Sequence, residues 1–305
     1  INISKGDYSP EQIASFLTVY MMRSITVEEL QGFKNALLEL CVSVDFKNYN
    51  SIDLCGTGGD GKDTFNISTL SSFITAGAGV MVTKHGNYGV SSSCGSSNVL
   101  ESLGVKFTND IDYLKRSIET TNICILHAPL FHPAMKNVAP IRKALGVKTF
   151  FNMLGPMVNP ALPKYQLVGV FNLEILRLYS YLYQKSDKKY SIVHDLGGYD
   201  ELSLTNNAKI VSNNTEKIFT PEDLGLDTID PISIFGGNSI KKASEIFKAI
   251  IMGKGTNEQN MVVCANAGLA IATAKQISHK EGFEIAKESL FSGKAKTVLT
   301  KLINL

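Results

Sequence analysis

One local plan, a short apolar strand running into a glycine loop and then a helix, occurs twice between residues 51 and 103. It limits the possible folds more than any other feature. Residues 51–55 read as a buried strand, enter Gly56-Thr57-Gly58-Gly59-Asp60, and lead to a helical stretch over 68–78. Residues 80–83 read as a second strand, pass through Lys84-His85-Gly86-Asn87-Tyr88-Gly89, and lead to a helix over 96–103. Further strands are expected at 122–126, 166–171 and 190–195, with a helix over 173–184. Strands alternating with helices predict an α/β fold with a mostly parallel central sheet.

The chain begins differently. Ser9-Pro10-Glu11-Gln12 combines an N-cap, a proline at the first helical position and a Gln that completes a capping box. Ile13, Phe16, Leu17, Tyr20 and Met21 then mark one helix face. Thr26-Val27-Glu28-Glu29 repeats the capping signature ahead of Leu30, Phe33, Leu37 and Cys41. The expected organisation is a small all-helical domain beginning at 1–48 and an α/β domain beginning at 49–130. A helical insert at 131–160 rejoins the small domain, and 161–305 completes the α/β domain. The polar stretch 206–214 reads as a surface hairpin or loop.

Thirty basic and 28 acidic residues leave a formal charge of +2. That near balance argues against a nucleic-acid stripe or a polybasic membrane patch. Residues 64–83 and 120–135 carry no Asp, Glu, Lys or Arg, but they are too polar for membrane spans and suit strands joined to closely packed loops. The five cysteines are scattered without metal-type spacing, as expected of reduced thiols in a cytoplasmic protein. The first residues show no leader pattern.

Glycines after a strand let several N–H groups converge, and beside a helix start that geometry suits an anion. Gly56 to Lys62 fits the spacing of a phosphate-binding GxxxxGK loop, but Asp63 stands where Ser or Thr is required. In the second loop Lys84 is a candidate to neutralise a phosphate, Asn87 to read a polar acceptor, and the serines to donate to oxygens. Ligands of open α/β sheets bind at the carboxyl ends of strands, where both loops fall. Asp200-Glu201 is an adjacent acidic pair that in a loop can reach one metal ion, although such pairs are most often solvated surface. Arg142, in the insert, has the planar fork suited to a carboxylate. His127 and His132 have poor metal spacing and read as core or cleft residues.

Together these residues resemble the anthranilate phosphoribosyltransferases of tryptophan biosynthesis. The resemblance rests on GTGGD at 56–60, NxST at 66–69, KHGN at 84–87 and VSS at 90–92. It continues through HPA…PxR at 132–142, NxLGPxxNP at 152–160, Asp200-Glu201, Gly236-Gly237 and Ala265-Asn266-Ala267. It implies a small helical domain, a larger α/β domain with the cleft between them, and a cytoplasmic homodimer.

The implied contacts to phosphoribosyl pyrophosphate are Gly56, Gly59, Asp60, Thr64, Asn66, Ile67, Ser68, Thr69, Lys84, His85, Gly86, Asn87, Ser91, Ser92 and Ser96. Ser68, Asp200 and Glu201 would hold magnesium, and Gly56, Asn87 and Arg142 would contact anthranilate. The reaction implied is displacement of pyrophosphate at the anomeric carbon by an aromatic amine, which needs no general base. Tyr88 and Gly89 stand where Arg is frequent, Ser93-Cys94 where Lys-Ser is frequent, and Asn98 where Asp is common. Rival readings are a pyrimidine nucleoside phosphorylase, disfavoured by the chain length, and a nucleic-acid-binding relative, disfavoured by the charge balance and the intact acidic pair.

Overall fold

Each apolar run forms a strand because its alternate residues find two different layers of partners. In the computed structural model, which describes residues 1–89 and 94–305, these strands are β1 (Ile52–Gly56), β2 (Val82–Gly86), β3 (Ile123–His127), β4 (Tyr165–Gly169) and β5 (Lys189–Asp195). All five are parallel. β6 (Ala208–Ser212) and β7 (Glu216–Phe219) add an antiparallel hairpin, so the polar stretch 206–214 contains a strand and its turn. The sheet order is β3-β2-β1-β4-β5-β6-β7.

Ile52, Leu54, Ile123, Ile125, Leu167 and Val193 point into one core, shared with the helices Ile67–Gly77, Asn257–Lys275, His279–Phe291 and Lys294–Ile303. Their alternates pack on the opposite face. Cys124 and Leu126 meet Leu114, Ile118 and Phe131, while Val168, Val170 and Ile192 meet the helix Leu173–Gln184 and the N-terminal helices. Each such side chain contributes about 1.5–3 kcal/mol on full burial.

Both capping boxes form, at Ser9 before the helix Pro10–Met22 and at Thr26 before Val27–Glu39. The insert and the residues leading into it are helical only in short pieces: Ala128–Phe131, Pro133–Lys136, Ala139–Leu145, Phe151–Leu154 and Gly155–Met157. Pro129, Pro133, Pro140 and Pro156 sit in the first turns of four of these, where a missing N–H is harmless, and prevent one long helix. Ala134, Val138, Phe150 and Leu154 pack against Ile13, Leu17, Leu30 and Leu37 of the first two long helices. Phe150 stacks on Phe33 with ring centroids 4.3 Å apart. Among the described residues no single helix is long and apolar enough to cross a membrane.

Candidate active site

The chain lays down β1, β2 and β3 towards one edge, then returns to place β4 on the other side of β1. This is a topological switch point, and ligands of open α/β sheets bind at such a point, at the carboxyl ends of the strands. The last residues of β1 and β4, Gly56 and Gly169, are register partners. Asp200, from the loop after β5, lies directly on them. A Cβ at Gly56 would overlap the Asp200 carboxylate, and one at Gly169 would overlap the Asp200 carbonyl oxygen. The two missing side chains make the seat for the acidic loop.

That loop is tied on both sides. The Gly58 N–H donates to Asp200 Oδ2 at 2.7 Å, joining the first glycine loop to it. Behind it, Asn266 reaches out of the buried helix Asn257–Lys275. Its Oδ1 accepts from the Leu202 N–H at 3.0 Å, and its Nδ2 donates to the Leu202 carbonyl at 2.8 Å. Ser203 Oγ donates to Asp195 Oδ2 at 2.6 Å and fixes the turn out of β5.

The carboxylates carry an electrostatic strain that suits a cation. Glu201 Oε1 accepts from the Ser68 N–H at 2.9 Å and from Ser68 Oγ at 2.6 Å, at the start of the helix Ile67–Gly77. Removal from water raises the pKa of Asp200, and the neighbouring Asp60 charge raises it further. Glu201 is raised by the same desolvation and then by the Asp200 charge, and Asp60 is raised mainly by desolvation. None of the three pairs with a basic side chain among the described residues.

The second loop joins the first through Asn66, whose Nδ2 donates to the Cys94 carbonyl at 3.1 Å. Asn98 Oδ1 accepts from the N–H groups of both Gly89 (2.9 Å) and Gly95 (3.0 Å). The carboxamide oxygen thus supplies the acceptor expected of the more common Asp. Tyr88 packs edge-on against His127 at 4.8 Å, and its hydroxyl donates to Glu101. Ser96 Oγ donates to the Asn87 carbonyl and sits where a Gly86 side chain would be, 2.6 Å from that Cβ position. Ser91 and Ser92 lie outside the described residues.

Several other expected contacts are placed less openly. Lys84 is 2% exposed, and its Nζ donates to the Leu54 carbonyl at 2.8 Å beneath β1. Its charge faces buried Asp53, whose carboxyl desolvation raises and Lys84 lowers. Ile67 is fully buried and gives its N–H to the Phe65 carbonyl, while Thr69 is 2% exposed. Thr64 bridges to Phe235. His85 Nδ1 lies 3.1 Å from the Gly155 carbonyl, and its ring meets His132 at 5.2 Å.

The insert forms the facing wall. Arg142 Nη2 donates to Asn152 Oδ1 at 3.1 Å, and the same oxygen accepts from the Thr149 N–H at 3.2 Å. Arg142 Nε is buried without a protein partner, and burial lowers the guanidinium pKa. Next to Thr149, the Lys148 ammonium donates to the Gly59 carbonyl. Sequence reasoning missed Lys148 and the role of Asn266. Only Asn266 left a signal, as the one amide within the apolar run 261–272.

The helical-bundle domain of the glycosyl transferase family matches residues 2–41, and the a/b domain of that family matches 48–296. The chain is 64% identical over 302 residues to the anthranilate phosphoribosyltransferase of Flavobacterium psychrophilum, covering 99% of this chain and 92% of the relative. The chain belongs to the anthranilate phosphoribosyltransferase family. Its identity to the Bacteroides thetaiotaomicron member is 53%, with 100% and 92% covered.

The crystal structure of the Thermus thermophilus family member superposes with a TM-score of 0.93 at 32% identity, covering 99% of this chain and 92% of that one. The Saccharomyces cerevisiae member, solved in complex with phosphoribosyl pyrophosphate and magnesium, superposes at 0.89 with 25% identity, covering 97% and 85%. The small helical domain and larger, mostly parallel α/β domain are therefore the family architecture, as the sequence predicts.

Proposed function

We propose that this enzyme transfers the phosphoribosyl group of phosphoribosyl pyrophosphate to the amine of anthranilate, releasing pyrophosphate. The observation that carries this reading is the convergence of three segments at the switch point. A glycine loop and an acidic loop form one wall, and Arg142 with Asn152 forms the other. The donor would lie along Gly56, Gly59, Asp60, Thr64, Asn66, Ser68, Thr69, Gly86, Asn87, Ser91, Ser92 and Ser96, with Ile67, Lys84 and His85 supporting from beneath. Anthranilate would meet Gly56, Asn87 and Arg142, its carboxylate on the guanidinium fork.

Magnesium fits this donor set. Asp200, Glu201 and Asp60 are acids whose pKa values are raised by removal from water and, for Asp200 and Glu201, by neighbouring acidic charge, a cost that a bound cation would offset. Among the described residues no three His, Cys, Asp or Glu side chains form a ready cage. A hard cation held by few carboxylates, with waters and substrate phosphates completing its shell, is the usual arrangement. Ser68, Asp200 and Glu201 would hold it, and when bound it supplies positive charge to the departing pyrophosphate.

In the reaction the anomeric C–O bond breaks and its electron pair leaves on pyrophosphate. The amine lone pair forms the C–N bond, and the resulting ammonium loses one proton to solvent. Asn87 and Arg142 would orient the acceptor, and closing the insert onto the glycine loop would exclude water. We take 131–160 to move with 1–48 as one unit. Exposed Val19, Met21 and Met22 on the helix Pro10–Met22 suit a homodimer contact, and the five free cysteines suit a cytoplasmic setting.

Anthranilate fluorescence should fall when the enzyme and phosphoribosyl pyrophosphate are mixed with magnesium, and EDTA should stop it. The pair Asp200→Asn/Glu201→Gln should lower kcat/KM by at least about 100-fold. A folded, donor-binding enzyme that leaves anthranilate untouched would overturn the acceptor.

A further inference from the structure

The family reading leaves one electrostatic question open at the level of side chains. A departing pyrophosphate needs positive charge around it. The lysine that the sequence offers for this, Lys84, is directed beneath β1 to the Leu54 carbonyl and faces Asp53. Its charge already has a buried partner. The first glycine loop is flanked instead by a cation from the opposite wall.

Lys148 follows the helix Ala139–Leu145, which ends at Gly146 in a left-handed cap. The turn after it is held by Asn152, whose Oδ1 accepts from the Thr149 N–H and from Arg142 Nη2. One carboxamide therefore aligns two cations of the insert. The Lys148 stem lies over Gly59, with Cε 3.5 Å from where a Gly59 Cβ would be, and its Nζ donates to the Gly59 carbonyl. The ammonium is 5.3 Å from the centre of the Phe171 ring. Among the described residues it pairs with no carboxylate. A lysine positioned over a glycine loop by a neutral carbonyl and a ring face, with no acid to neutralise it, is an ammonium available to an anion entering that loop.

We propose that Lys148 is a catalytic residue whose ammonium contacts the pyrophosphate of the donor and stabilises its charge as the anomeric C–O bond breaks. This rests on the transferase reading above. The bond to the Gly59 carbonyl holds the ammonium beside the loop until the donor enters. Arg142, on the far side of Asn152, remains with the acceptor carboxylate. The two cations divide the substrates between them, leaving group to Lys148 and acceptor to Arg142.

The test compares wild type with Lys148→Met and Lys148→Arg, in steady-state kinetics with magnesium. Lys148→Met should lower kcat/KM for phosphoribosyl pyrophosphate by about tenfold or more. It should raise the inhibition constant of magnesium pyrophosphate by a similar factor. The KM for anthranilate should stay within about twofold, and Lys148→Arg should recover most of both losses. A merely structural lysine would not move the pyrophosphate constant. An unchanged pyrophosphate constant in Lys148→Met, or a loss confined to the anthranilate KM, overturns the proposal. Wild-type enzyme that fails to consume anthranilate would instead overturn the transferase reading.

Discussion

At Gly169 a single methyl group would meet a backbone carbonyl that has no rotamer to escape into. Gly169→Ala should therefore push the acidic loop off its seat, costing about 1–3 kcal/mol of stability and most of the magnesium-dependent activity. Thermal melting and a magnesium titration of the rate would show both. Asn266→Leu keeps the volume but leaves the Leu202 N–H and carbonyl without partners. Each orphaned buried group costs about 1–3 kcal/mol. The half-saturating magnesium concentration should rise while the KM for anthranilate holds. If both constants stay at the wild-type value, Asn266 does not position the acids. The residues assigned to the proposed chemistry are legible as sequence, since GTGGD and Asp200-Glu201 are local patterns. The pairing of Asn266 is not legible, because its partner is 64 positions away, although the residue itself stands out as an amide in an apolar run.

Among the elements, those with a local signal matched expectation most closely. The capping boxes at Ser9 and Thr26 depend on a spacing of three residues, and both formed. Thr26→Ala should lower stability by about 1 kcal/mol in a urea titration and leave kcat unchanged, because the cap joins only Thr26 and Glu29, neither of them assigned to the site. The strands were legible as apolar runs, with boundaries shifted by a few residues. The insert was legible as helical but not as broken, although its four prolines explain the breaks. The helices after residue 239 were not assigned at all. The helix Asn257–Lys275 is buried on nearly every side, so it lacks the polar face that marks an amphipathic helix. The same burial makes it the anchor behind the acidic loop.

At the scale of the whole molecule, burial sets a pH dependence. Removal from water pulls His85 and His132 down to about 4, and each lies near the other. Unfolded, both would titrate near the ordinary value of about 6.5. At these two sites the unfolded chain binds more protons between those values, so their contribution to stability is fully present above about pH 6.5 and is lost as pH falls towards 4. The slope is about 1.4 kcal/mol per pH unit for each histidine. The raised pKa values of Asp200 and Glu201 act in the opposite sense over the same range, so the histidine effect is read as a difference: the wild-type urea midpoint should fall relative to that of His132→Gln as pH goes from 7 to 4.5. A difference between wild type and His132→Gln that is independent of pH across that range would show that His132 is not kept neutral by folding.

The seat of the acidic loop has a consequence for how the protein comes into being. Gly58 and Asp200 are 142 positions apart, so at about 5–20 residues per second a ribosome needs roughly 7–30 s to bring the second within reach of the first. Asn266 emerges later still. Through that interval the nascent chain carries the first glycine loop without Asp200, Glu201 or their anchor. On the reading proposed above, an unfinished polypeptide would hold no complete magnesium site, and so would have no means of spending an activated sugar before translation is nearly over.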